Sequence, residues 1–213
     1  MSTTSYDSFL PEVLPYVRDC AEVVAINAIR NACMEFCEHS QLWREELPDV
    51  TLEAGEAVYQ LEVPAGSGLA AIISARIGRI QLIPKSIEDL NVVLGPDWRD
   101  REGPVNYITH DDYDSVRLVM VPSAGYTEVL KMTVALKPLR SSTKVAKVVY
   151  ERYAEIIGFG ARARLHDTPN QSYSDEKAAK KFRMWFETGY GEAKIAANKG
   201  LTRAVLVVRP PTV

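Results

Sequence analysis

The sequence predicts an α+β fold: a helical bundle of one long N-terminal helix and two C-terminal helices, with a small antiparallel β domain inserted and an extended C-terminal tail. Three observations predict it. Apolar residues recur every three or four positions in blocks near both ends of the chain. Between those blocks the period drops to two. After the last helical stop comes an apolar, β-branched run. The divisions are an N-terminal helical part (1–48), the inserted β domain (49–140), a C-terminal helical hairpin completing the bundle (141–200) and an extended arm (201–213).

Pro11 and Pro15 allow a short helical turn docked by Phe9, Leu10 and Leu14. Asp19 and Glu22 then have capping-box spacing, so a helix is expected from Asp19 to near Trp43. Its stripe is Ile26, Ile29, Cys33, Phe36, Cys37 and Ser40. Pro48 forbids much continuation. Thr51 to Val63 reads as a hairpin turning near Gly55, and Ile72 to Ile83 as one longer strand interrupted at Gly78. Ser86 and Asp89 open a short helix that Gly95-Pro96 closes. Val116 to Val121 and Val129 to Leu136 are two more strands, with Leu130, Met132, Val134 and Leu136 on one face.

The C-terminal hairpin turns at 166–171. In its first helix Val149, Tyr153, Ile156, Gly160 and Ala163 form one stripe and a second lies beside it, leaving Lys147, Glu151, Glu155 and Arg162 for the wet side. Ala154, Gly158, Gly160, Ala161 and Ala163 put almost no side chain between the helix axis and a neighbour. Each glycine costs about 1 kcal/mol relative to alanine in a helix interior. A close second backbone is therefore expected, and these five are candidates for a subunit interface. The last helix starts around Ser174, with Asp175 and Glu176 in its first turn, and stops at Lys199-Gly200. Leu201, Val205, Leu206, Val207 and Val208 in the following arm read as a strand that pairs with something.

With 46% hydrophobic and 25% charged residues the chain is globular, and no apolar run approaches a membrane span. A net charge of -3 gives no electrostatic grip on nucleic acid. Lys177, Lys180, Lys181 and Arg183 form only a local basic patch. The N-terminus lacks the pattern of a signal peptide, and three cysteines without ligand spacing suggest a reducing cytoplasm. His39, His110 and His166 lack metal-ligand spacing, and no Gly-x-Ser-x-Gly elbow places a serine. Glu45-Glu46 and Asp111, Asp112, Asp114 are carboxylate neighbours of the kind glycoside hydrolysis uses, and solvated turns are the simpler reading. No catalytic residue, cofactor or metal site is assigned. The remaining features all concern association.

The order of parts resembles the head-to-tail adaptor (connector) proteins of tailed bacteriophages, the phage adaptor or tail tubular protein A type. The matching pieces are Leu14-Pro15-Tyr16-Val17, Ala28 to Cys37 closing on Leu42-Trp43, Pro104-Val105-Asn106-Tyr107 and Val134 to Pro138. Tyr153 to Leu165, Ser174-Asp175 and the helix Phe182 to Ala197 complete them.

The resemblance implies a non-enzymatic subunit of a ring, usually of twelve copies, seated beneath the portal protein. The ring would join the portal vertex to a downstream tail or nozzle protein, with dsDNA only in transit through its channel and no membrane contact. Such a protein would be assembled in the host cytoplasm and reside in the virion, its C-terminal arm reaching the portal. The alternatives are a virion-associated peptidoglycan hydrolase, or a neck stopper or tail-completion protein. The two long C-terminal helices count against the stopper.

Overall fold

The computed structural model of the chain describes residues 2–110, 112–123 and 128–200. The chain divides into two compact units, a helical unit (1–42 and 143–213) and a β unit (43–142).

The helical unit opens with strand β1 (Thr3–Ser5) and two 3₁₀ turns, Tyr6–Glu12 and Leu14–Tyr16, which bury Tyr6, Phe9, Val13 and Val17. Helix α1 runs over Glu22–Ser40. The expected capping box does not form: Asp19 takes φ 61°, and Ala21 is the N-cap without a side-chain bond. Its buried stripe is Ala25, Ala28, Ile29, Ala32, Cys33, Phe36, Cys37 and Ser40. Gln41, at φ 51°, ends the helix and donates its N–H to Cys37 O at 3.0 Å.

The β unit contains β2 (Arg44–Glu46), β3 (Val50–Thr51), β4 (Val58–Gln60), β5 (Ser67–Ile77), β6 (Ile80–Pro84), α2 (Ile87–Leu94), β7 (Tyr107–Thr109), β8 (Ser115–Val119) and β9 (Val129–Pro138). Its strands form an 8-stranded sheet in the order β2-β9-β5-β6-β7-β8-β4, with β3 also on β9. The expected helical bundle with a small antiparallel β insertion is therefore wrong. The fold is mixed α/β, about 26% strand, and its sheet is large and curled into a half-barrel. The β6–β7 pairing is parallel, with Ile83 against Tyr107, as is the isolated bridge Glu102–Val121.

The curl follows from chain reach. Thr51 ends a strand at one edge, and Val58 opens a strand at the other. Seven peptide steps span at most about 25 Å, whereas six ladder spacings across a flat sheet cover about 29 Å. Thr51 to Val63 is accordingly not a hairpin, because β3 pairs with β9 and β4 with β8. Tyr59 fixes the connection: its hydroxyl donates to Glu56 O at 2.9 Å and accepts from the Glu53 N–H at 3.0 Å. The expected single strand at Ile72 to Ile83 is two, joined by the two-residue turn Gly78-Arg79, with Ile77 opposite Ile80. Gly78 supplies the positive φ, 55°, at the first turn position. The irregularities of β5 lie earlier, between Leu69 and Ala71 and between Ile72 and Ser74.

Leu90, Trp98 and Val119 form one core cluster of this unit. Ile77, Leu82, Ile108, Leu118 and Leu130 are also fully buried. Trp98 Nε1 donates to Asn91 Oδ1 at 2.9 Å, which satisfies its buried polar atom.

The chain then returns to the helical unit through β10 (Lys144–Ala146), antiparallel to β1. Helix α3 (Lys147–His166) is kinked at Tyr153, and α4 (Glu176–Lys199) is capped by Asp175. The carboxylate of Asp175 accepts from the N–H groups of Lys177 and Ala178 at 2.9 and 3.0 Å. The arm candidates Leu201, Val205, Leu206, Val207 and Val208 lie outside the described residues.

Candidate functional site

The helical unit brings together most of the residues singled out in the sequence. A Cβ built on Gly160 would lie 2.7 Å from Phe186 Cε2, and one on Gly189 would lie 2.5 Å from Ile156 Cγ2. Helices α3 and α4 thus each lay a large side chain where the other has none. Gly158 faces the N-terminal 3₁₀ turn, with its Cβ position 2.9 Å from Glu12 Cβ. Ala161 and Ala163 are buried and Ala154 is half-buried. The close neighbours of Gly158 and Gly160 belong to the same chain.

Glu35 of α1 ties the three long helices together. It accepts from Arg164 of α3, and from Arg183 of α4 at 2.5 Å. Arg183 also donates to Glu187 at 2.7 Å. The bond to Glu35, opposed by partial burial, holds the Arg183 guanidinium more firmly protonated than usual.

On the other side of α4 lies a groove of about 590 Å³, lined by Tyr16, Glu155, Phe159, Arg162, Lys181, Phe182 and Trp185. Arg162, expected on the wet face, is only 3% exposed. Its guanidinium carbon sits 4.0 Å from the Tyr16 ring centroid, 4.8 Å from Phe159 and 4.9 Å from Phe182. Its Nε donates to Gly158 O at 3.2 Å. Burial pulls its pKa down, and Tyr16, Glu12 and Glu155 push it back. Lys181 Nζ stands 4.5 Å over Trp185. Ring faces attract such cations, most strongly when desolvated. The groove therefore presents aromatic surface and a buried positive charge, with one exposed carboxylate, Glu155, on its rim.

Among the described residues, the candidate acids and histidines are held in separate places. Glu45 accepts from Trp43 Nε1 at 3.0 Å. As neighbours on a strand, Glu45 and Glu46 point to opposite faces of the sheet and cannot flank one sugar. Asp111 lies outside the described residues, and Asp112 and Asp114 are exposed. His39 stacks on Tyr190 at 4.7 Å, and His166 Nδ1 is 2.7 Å from Tyr173 O. His110 borders an apolar cavity of about 450 Å³ in the β unit. Cys33 and Cys37 are buried free thiols; burial pushes Cys33 well up and Cys37 to about 12, which suppresses the nucleophilic thiolate. Among the described residues no group of three His, Cys, Asp or Glu could hold a metal ion, and no helix is long and apolar enough to cross a membrane.

No protein-family model and no curated protein matches the chain.

Among the described residues, the β unit exposes several large apolar side chains that are close in sequence. Ile80 and Ile83 on β6 and Ile87, Val92 and Val93 on α2 are all exposed, Val92 at 82%. In the helical unit Val23, Val24, Met184 and Ile195 are also exposed. Sequence periodicity missed the Arg162 groove because an arginine counts as polar in any stripe. The available signal was Gly158 four residues earlier, which clears the helix surface that the guanidinium then covers.

Proposed function

We propose that this protein is a non-enzymatic structural subunit of a tailed-phage neck, forming an oligomeric ring that joins the portal vertex to the tail. The observation that carries the reading is the exposed apolar run on β6 and α2. Five large side chains within fourteen residues are left exposed, and exposed apolar surface supports association where it gathers. The order of sequence pieces, which resembles that of the adaptor proteins, supports this identity for the association. In this reading copies of the chain, twelve in number, close a ring around the channel. The portal protein contacts one end and a tail or nozzle protein the other, dsDNA passes through, and the particle is completed in the host cytoplasm. The arm residues Leu201 and Val205 to Val208 are the segment that meets the portal.

The test is assembly with the portal protein, followed by native mass measurement and negative-stain microscopy. Rings are expected from the unaltered chain. Val92→Asp with Val93→Asp is expected to abolish them without loss of secondary structure. A chain that stays monomeric beside its portal would sink the reading.

A further inference from the structure

We propose that the Arg162 groove receives the outer face of α2 from a second copy of the chain. The inference rests on the ring reading and names the two faces that meet in the ring.

Helix α2 is two turns long, and Leu90 and Leu94 turn one side of it to the core of its unit. Glu88 and Val92 lie four apart, as do Asp89 and Val93, so these four share the opposite side. All four are exposed, Val92 at 82% and Val93 at 59%. The face is therefore acidic where the helix starts and apolar where it ends. Arg101 adds a cation at the end, with Nη1 donating to Leu94 O at 3.0 Å.

The groove carries the complementary order. Glu155, Phe159 and Arg162 succeed one another along one face of α3, about 10 Å from end to end. From α4, Phe182 packs beside Arg162 and Trp185 beside Phe159. Lys181 is exposed next to Phe182, and its Nζ reaches over the Trp185 ring. Cations, rings and a carboxylate thus follow in sequence. Laid along the groove, α2 is about 12 Å long and matches it. Glu88 and Asp89 then face Arg162 and Lys181, Val92 and Val93 lie on Phe159 and Trp185, and Arg101 approaches Glu155.

A short amphipathic helix in an apolar groove is a recurring mode of recognition, and opposite charges fix its register. Neither face suits its own equal, because two α2 faces would oppose acids and two grooves would oppose cations. The contact is therefore heterologous, the kind that closes a ring when the rotation allows. Both faces belong to one chain, so copies can supply each other.

The test mixes two variants of the full chain, each damaged on one face, and follows them by sedimentation velocity without portal. Val92→Asp with Val93→Asp spoils α2, and Lys181→Glu with Trp185→Glu spoils the groove. All four positions are exposed, so circular dichroism should stay unchanged. The unaltered chain should self-associate, and each variant alone should do so at least about tenfold more weakly. Mixed, the two should give a dimer of one copy of each and nothing larger, because only one intact pair of faces remains. A measurement without variants runs beside it. In a mixture of isotopically light and heavy unaltered chain, a zero-length carbodiimide should couple Lys181 of one copy to Glu88 or Asp89 of the other. Variants that associate like the unaltered chain, a mixture without dimer, the absence of that coupling, or an unaltered chain monomeric at every concentration each overturn the proposal. Rings that still form with the portal after such a result would leave the neck reading standing without this contact.

Discussion

The helical unit achieves its closest packing through absent side chains, with Phe186 filling the space at Gly160 and Ile156 the space at Gly189. In the β unit the corresponding glycines, Gly55 and Gly78, serve turns at φ 82° and 55°, and the core is filled by aliphatic side chains and Trp98. The two units should therefore fail in opposite ways. The helical unit is intolerant of added volume and the β unit of lost volume, because neither kind of site can relax without moving backbone.

Gly160→Leu should have the largest effect. Even its Cβ would meet three carbons of a fully buried ring at 2.7 to 3.0 Å, so the α3–α4 contact must open. Loss of about 3 kcal/mol or more is expected in urea unfolding followed by circular dichroism. A variant of native stability that fails only in assembly would place Gly160 in a subunit interface and break the comparison. Next is Leu130→Ala, which removes a fully buried side chain from β9. It should cost about 2 to 5 kcal/mol, read from the emission of Trp98 in the same unit. A loss well under 1 kcal/mol would show that the sheet collapses around the deletion as the helices cannot.

How much the sequence disclosed divides along the same line. The long helices were legible because each carries its own 3.6-residue period, and the alternation of Leu130, Met132, Val134 and Leu136 was legible for the equivalent reason. The size and order of the sheet were not. Strands such as Arg44–Glu46 and Tyr107–Thr109 are too short to show a period, and the partner of Arg44–Glu46, Thr133 to Ala135, lies far along the chain. The small residues Ser67, Gly68, Ala70 and Ala71 hide the first half of the longest strand. At the candidate site Gly158 and Gly160 have close neighbours within the chain, and periodicity carries no information about whether a second chain also approaches. The Arg162 groove depends on Tyr16, whose approach to α3 no local pattern encodes.

Ion pairs sharpen the contrast at smaller magnitude. Glu35 has a side chain only 15% exposed, and Glu35→Gln would leave Arg164 and Arg183 without their shared carboxylate. Both arginines are a third or more exposed, so solvent screens much of the loss, and about 1 to 2 kcal/mol is expected. In the β unit Asp49 pairs with Lys131 at 2.8 Å with both side chains about half exposed. Asp49→Asn should cost under about 0.5 kcal/mol. Equal losses in the two variants, measured at low salt, would show that Glu35 is not a pin.

The smallest expected difference separates the helix caps by pH. Hydrogen bonds from the N–H groups of Ala178 and Lys177 draw the Asp175 carboxyl below its ordinary value. A depressed folded-state pKa means the contribution is complete above the unfolded value of about 3.9 and is lost as pH falls through the lower folded value. The cap of α2 is Ser86, whose Oγ accepts from the Asp89 N–H at 3.1 Å and does not titrate. Amide exchange in the first turn of α4 should therefore accelerate between pH 5 and pH 2 relative to the first turn of α2. Asp175→Asn should remove most of that acceleration, since asparagine caps as well as aspartate without titrating. A residue of it should survive through Glu176, which its bond to Lys180 also holds low. If both first turns open in parallel as the pH falls, acid acts on the whole protein and not on the cap, and the proposed difference between α4 and α2 is lost.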